Sequence, residues 1–176
     1  MKRSTAYRIF ALLLLAGLLG VSRPVSAQGR LALGVAAGPS PYDLSGTGTG
    51  TAGGVFLPWR PVRGLVVEPG VTVFSYNSQF DERTTMMLPE LSIQGELHLG
   101  QFRPFIGGGA GGSFRISGSA ETAATLHAVG GARFDLNEAW GLIGQMRLRA
   151  VHPWTGETAD FLFGVSRRLS GGTCGT

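Results

Sequence analysis

Leu88-Pro89-Glu90-Leu91-Ser92-Ile93-Gln94-Gly95-Glu96-Leu97-His98-Leu99-Gly100 alternates with a period of two. Pro89, Leu91, Ile93, Gly95, Leu97 and Leu99 fall on one side, and Glu90, Ser92, Gln94, Glu96 and His98 on the other. A helix would interleave these two sets around its axis, whereas a strand separates them into one apolar and one charged face. The same division recurs along the chain. Leu65, Val67, Pro69, Val71 and Val73 oppose Glu68 and Thr72. Leu126, Ala128, Ala132, Phe134 and Leu136 oppose His127, Arg133 and Asp135, and Trp140, Leu142, Met146 and Leu148 oppose Gln145, Arg147 and Arg149.

Less regular strands fill the gaps, at about residues 30–38, 49–59, 102–117 and 158–169. Eight strands in series predict an all-β chain, an antiparallel up-and-down barrel. Tight turns are expected near Arg60–Arg63, Gly100–Phe102 and Leu136–Glu138, and longer polar loops near Pro39–Gly48, Asn77–Thr85, Ser117–Glu121 and His152–Ala159. Short turns at one end and longer loops at the other are the habit of barrels that cross an outer membrane.

Ahead of the strands, residues 1–27 have the layout of a secretory signal. Lys2, Arg3 and Arg8 precede an apolar run from Ile9 to Val21, Pro24 breaks it, and Val25-Ser26-Ala27 offers small residues for cleavage before Gln28. The run falls short of the roughly 20 residues that a spanning helix needs, and no cysteine follows it for lipid attachment. The formal excess of +4 resides in Lys2, Arg3, Arg8 and Arg23, so the remainder balances 11 arginines against 11 acidic residues. A nucleic-acid partner is therefore not expected, despite the high overall pI. Residues 28–169 make one barrel domain and 170–176 a short Gly/Ser/Thr tail, whose Cys174 is the only cysteine and has no partner for a disulfide.

Which face turns inward separates a membrane barrel from a soluble carrier of the lipocalin kind. Charges of both signs recur on the polar faces, which suits a closed interior where carboxylates and guanidinium groups neutralise one another. The interior network expected on this basis comprises Glu68, Glu90, Glu96, His98, Arg115, His127, Arg133, Arg147 and Arg149. Aromatic residues cluster in two zones: Trp59, Phe102, Phe105, Phe134 and Trp140 beside the turns, and Phe74, Tyr76, Phe114, Trp154 and Phe161 beside the loops. Two such zones read as interfacial girdles around a lipid-facing band.

Arg103-Pro104-Phe105-Ile106 with the glycine-rich run to Gly112, and the closing strand Phe161-Leu162-Phe163-Gly164-Val165-Ser166-Arg167-Arg168-Leu169, resemble the small outer-membrane barrels of the OmpA and OmpX kind. The resemblance covers residues 28–169, with Leu169 standing where those families place an aromatic residue. It implies an outer-membrane location, with lipid and lipopolysaccharide around the barrel and the barrel assembly machinery reading the last strand.

The glycine run itself is no phosphate cradle, because no helix follows it. No metal or cofactor site is expected, since His98, His127, His152 and Cys174 are scattered. A non-enzymatic barrel, plugged by its own side chains and acting through exposed segments around Tyr42–Gly48 and Ser75–Thr85, is the leading expectation. Its rivals are a lipid A deacylase, a small-solute pore and a soluble carrier. His98 and His127 fit the interior network better than a catalytic role, and no serine stands next to His152. On this reading the mature protein fractionates with the outer membrane and shows heat-modifiable electrophoretic mobility. Recovery as a soluble periplasmic monomer would reject it.

Overall fold

The computed structural model describes residues 30–42, 48–77, 83–117, 122–151 and 156–169. The expected signal (1–27), the tail (170–176), Cys174 and His152 lie outside them. Nine strands follow in chain order: β1 (Arg30–Tyr42), β2 (Gly48–Phe56), β3 (Trp59–Val62), β4 (Leu65–Asn77), β5 (Arg83–Glu96), β6 (Phe102–Ser117), β7 (Ala123–Asp135), β8 (Trp140–Val151) and β9 (Gly156–Leu169). All neighbours are antiparallel, and β1 pairs with β9 from Leu31↔Leu169 to Tyr42↔Thr158, closing the barrel.

Although nine strands are counted, the barrel has eight staves. β2 and β3 both lie between β1 and β4 and are two halves of one stave, interrupted at Leu57-Pro58. Proline has no N–H for the ladder. Here the break is bridged by Pro58 and Leu57 themselves, the first accepting from Ala32 N at 3.0 Å and the second donating to Pro69 O at 2.9 Å.

The strands reach further than hydrophobic alternation indicated. Pro39–Tyr42, Asn77, Arg83–Thr85 and Gly156–Ala159, expected in loops, belong to strands. Only four or five residues separate the strand ends there, against two, five and four at the opposite end. The expected contrast between long loops and short turns is therefore slight. Above the lipid band both strand faces meet polar surroundings, so the apolar signal fades while the backbone ladder continues.

The first turn is Arg63-Gly64 rather than Arg60–Arg63, and Gly64 takes a φ of 85°, which a residue with a Cβ adopts only under strain. In the β7–β8 turn, Asn137 Oδ1 accepts from the backbone of Ala139 and Trp140 at 2.9 and 2.8 Å.

Every stave turns most of its large apolar side chains outward. Ile93, Ile106 and Phe163 are 58, 75 and 67% exposed, while Glu68, Arg133, Arg147 and Asp160 on the inward faces are at most 2% exposed. This is the reverse of a soluble carrier, whose apolar residues would line the cavity. Girdle residues Trp59, Phe102, Phe134 and Trp140 are outward and exposed at the turn end, as is Phe161 at the other. Phe105 and Phe74 are corrections: both are 5% exposed and lie inside. Their sequence positions next to the turns and loops suggested girdles, but strand parity sends them inward.

Ile93 sits mid-band, paired with Val67 and Gly108. Ile93→Arg places a charge there and should destabilise by roughly 2–4 kcal/mol in a lipid refolding titration. Stability equal to the parent would mean that this face does not meet lipid.

Candidate functional site in the barrel interior

Strand parity delivers charged side chains into the lumen from almost every stave, and the distances link them into one column. At its centre Arg133 donates to Glu96 Oε2 at 2.8 Å, Glu68 Oε2 at 2.8 Å and Gln94 Oε1 at 2.7 Å. Arg147 joins Glu68 Oε1 at 2.6 Å to Glu90 Oε2 at 3.0 Å. Arg149 grips both oxygens of Glu90, at 2.5 and 2.9 Å, and pairs with Asp160, which accepts in turn from the Ser40 hydroxyl.

Towards the turns, Arg60 holds both oxygens of Glu96, at 2.9 and 3.0 Å. Arg103 lies 3.5 Å from Glu96 and also pairs with Asp135, which receives Arg168 as well. The path Arg168–Asp135–Arg103–Glu96–Arg133–Glu68–Arg147–Glu90–Arg149–Asp160–Ser40 is thus unbroken. Its two members on β9, Arg168 and Asp160, are eight residues apart, roughly 27 Å of strand.

Six guanidinium groups (Arg60, Arg103, Arg133, Arg147, Arg149 and Arg168) meet five carboxylates (Glu68, Glu90, Glu96, Asp135 and Asp160). Each carboxylate serves at least one arginine, and most serve two or more, so charge is neutralised within contact distance. Two planar guanidinium groups also rest on aromatic rings: Arg133 lies 4.0 Å from the Phe105 centroid and Arg147 4.4 Å from that of Phe56. Such stacking is favourable when water is excluded. Phe56, Phe74, Met86, Leu88, Val129, Ile143 and Leu162 supply an apolar wall that completes the filling.

Room for these side chains comes from β6, whose inward positions 107, 109 and 111 are glycines. A Cβ on Gly109 would stand 2.8 Å from the His127 ring and 2.0 Å from Leu91 O. One on Gly111 would crowd the Glu90 side chain at 3.0 Å.

Of the expected residues, Glu68, Glu90, Glu96, His127, Arg133, Arg147 and Arg149 are inward and buried. His98 stands past the end of β5, a third exposed, with Nε2 3.6 Å from Glu96 Oε1. Arg115 is a correction. It is exposed near the end of β6, beside a bulge that inserts Ile116 between the pairs Met86↔Arg115 and Thr85↔Ser117, and it joins no ion pair among the described residues. Sequence reasoning missed Arg60, which sat in an expected turn, Arg103, Asp160 and Arg168, which sat in less regular strands, and Asp135, which it placed on a polar face but outside the network. Continuing the parity of β6 and β9 through those segments would have found three of them.

Ser92, His127 and Glu90 also come together. Ser92 Oγ lies 2.8 Å from His127 Nε2, and His127 Nδ1 lies 3.6 Å from Glu90 Oε1. The order is that of nucleophile, base and acid, an arrangement that sequence spacing did not reveal. Ser92 is fully buried, and Glu90 already carries Arg147 and Arg149. Catalysis needs space beside the nucleophile for a reacting carbonyl, and here the His127 ring packs over Gly109 inside the filled lumen.

Breaking one member should strand its partners. Arg147→Ala leaves Glu68 and Glu90 short of a buried cation and should destabilise by roughly 3–5 kcal/mol. A cycle with Glu68→Ala should be non-additive, whereas Arg115→Ala should be near neutral. Additive denaturation energies for Arg147 and Glu68 would break the column apart.

No protein-family model matches the chain, and no curated protein matches it significantly in sequence. Solved structures do match in fold. Neisserial surface protein A (NspA) superposes with a TM-score of 0.63 at 12% identity, over 80% of this chain and 97% of that one. Ail, the attachment invasion locus protein of Yersinia pestis, gives 0.53 at 10%, over 80 and 97%. The outer membrane enzyme PagL gives 0.51 at 12%, over 78 and 97%. The apolar belt, the eight staves and these likenesses agree: this chain has the fold of the small eight-stranded outer-membrane β-barrels, an architecture of the OmpA and OmpX kind.

Proposed function

We propose that the barrel is plugged and non-enzymatic, a structural or surface-interaction protein that acts through the segments joining its strands at the end opposite the tight turns. The observation that carries this reading is the unbroken ion-pair column, whose members Glu68, Arg147 and Asp160 are at most 1% exposed. A conducting lumen would leave such groups wet. The Thr125 hydroxyl and the Gln145 amide are buried beside the column with no hydrogen-bond partner among the described residues, polar enough to hold water. Yet Arg133 and Arg147 cross the lumen from β7 and β8 to Glu68 on β4, interrupting any path.

In this reading the turn end faces the periplasm, since an even number of staves returns Leu169 to the end where Arg30 begins. The opposite segments carry Asp43, Gln79, Asp81 and Glu82, with Arg83 at the start of β5, as the contact surface. Lipid and lipopolysaccharide surround the belt, and the assembly machinery engages β9.

Planar-bilayer recordings of the purified protein test the plug. The expected result is the absence of stable, stepwise currents; their presence would replace this reading with a small-solute pore. Mass spectrometry of lipid A from cells with and without the protein should show no difference in acylation. A lost acyl chain dependent on Ser92 would instead make it a deacylase.

A further inference from the structure

Outside the lumen, on the belt itself, the bulky lipid-facing surface is interrupted between β7 and β8 by a hollow near the turn end. Ala132 on β7 and Gly144 on β8 are paired small residues in the outward rows. Around them Phe134, Leu142 and Phe163 stand up to form an open groove of about 260 Å3. At its turn-side end the outward pair Trp140↔Arg167 stands beside it. The Arg167 guanidinium lies 5.6 Å from the Trp140 ring centroid. Its neighbour Arg168 turns inward to Asp135, but Arg167 is exposed and meets no carboxylate among the described residues.

We propose that this groove and Arg167 form a binding site for one anionic phospholipid, its phosphate on Arg167 and one acyl chain along Ala132 and Gly144. The register supports the fit. From Arg167 to Phe163 is four residues, roughly 13 Å of strand and, at a tilt near 45°, somewhat less than 10 Å of depth. That is about the step from the headgroup zone to the hydrocarbon. An uncompensated cation at the interface, anchored on an indole, selects a negative headgroup. The hollow accepts a flexible chain where a flush belt would give it no purchase. The site rests on the proposed orientation only for which leaflet supplies the lipid, and its test does not depend on that orientation.

The protein purified in detergent, offered dioleoyl phosphatidylglycerol and dioleoyl phosphatidylcholine in equal amounts, is examined by native mass spectrometry. One phosphatidylglycerol should be retained in preference by about fivefold, the contribution of one basic residue at a membrane surface. Arg167→Gln should bring the two lipids to parity, and Gly144→Leu, which fills the groove, should lower retention of both. Arg63→Gln, another exposed turn-end arginine, serves as the charge control and should change nothing. Excess inorganic phosphate at constant ionic strength should leave retention intact, because phosphate lacks the chain. Heat-modifiable mobility confirms that each variant is folded. Equal retention of the two lipids by the parent, an unchanged preference in Arg167→Gln, or displacement by phosphate would each overturn the site.

Discussion

Each central carboxylate of this barrel is shared between two or more arginines, and the rest of the structure is arranged to make that sharing possible. Glu68 takes Arg133 and Arg147, and Glu90 takes Arg147 and Arg149. Placing so many ions in a narrow lumen carries a desolvation penalty of several kcal/mol per ion, which pairing offsets only when geometry and hydrogen bonding are good. A lone salt bridge would offer little. Here Arg133 and Arg147 each bridge two carboxylates, and Gln94 adds a neutral link to Glu68 at 3.0 Å. Loss of one member therefore disturbs several pairs together.

Lipid explains why the charges are inside in the first place. Hydrocarbon cannot satisfy a polar group, so the outward face of each strand is restricted to apolar side chains, and alternation sends everything else to the lumen. With eight staves that lumen is wide enough for side chains and little more. The glycines facing inward on β6 and the rings of Phe56 and Phe105 under Arg147 and Arg133 are two solutions to the same crowding. One removes a side chain so that another can enter, and the other supplies a flat surface on which a guanidinium can lie.

That physics also marks how far the sequence could be read. The period-two rhythm made the barrel and the inward positions of Glu68, Glu90, Glu96, His127, Arg133, Arg147 and Arg149 legible, because lipid on one face enforces it strictly across the band. It weakened wherever lipid stops acting. Strand ends beyond the band looked like loops, the less regular alternation of the last strand hid Asp160 from the column, and the Ile116 bulge left Arg115 at the rim. The break at Leu57-Pro58 read as continuous strand, since its apolar residues keep the pattern while its backbone does not. Phe74 and Phe105 lay near the ends of the band, where nearness to a turn suggested girdle positions and parity gave the correct answer. The meeting of Ser92 with His127 depends on the packing of β5 and β7 across β6, which no linear spacing expresses.

A closed and nearly balanced lumen has one more consequence, for the two ends of the molecule. The column neutralises its own charges, so the groups at either rim need not compensate those within. The turn end gathers Arg60, Arg63, Arg103, Arg167 and Arg168 around Asp135 and Glu138, while Asp43, Asp81, Glu82, Glu121 and Glu157 fall on the chain at the opposite end with only Arg83 and Arg115 to oppose them. Along the sequence, basic residues thus gather at the turn end and acidic ones in the segments between the opposite strand ends. Residues in the segments that join the strands can change without unpairing the centre, since the links among Glu68, Glu90, Arg133, Arg147 and Arg149 run between β4, β5, β7 and β8. The same separation lets barrels of one fold serve as a surface protein, an attachment protein or an enzyme: the scaffold's stability is settled in the lumen, and its chemistry is decided at the surfaces that the lumen leaves free.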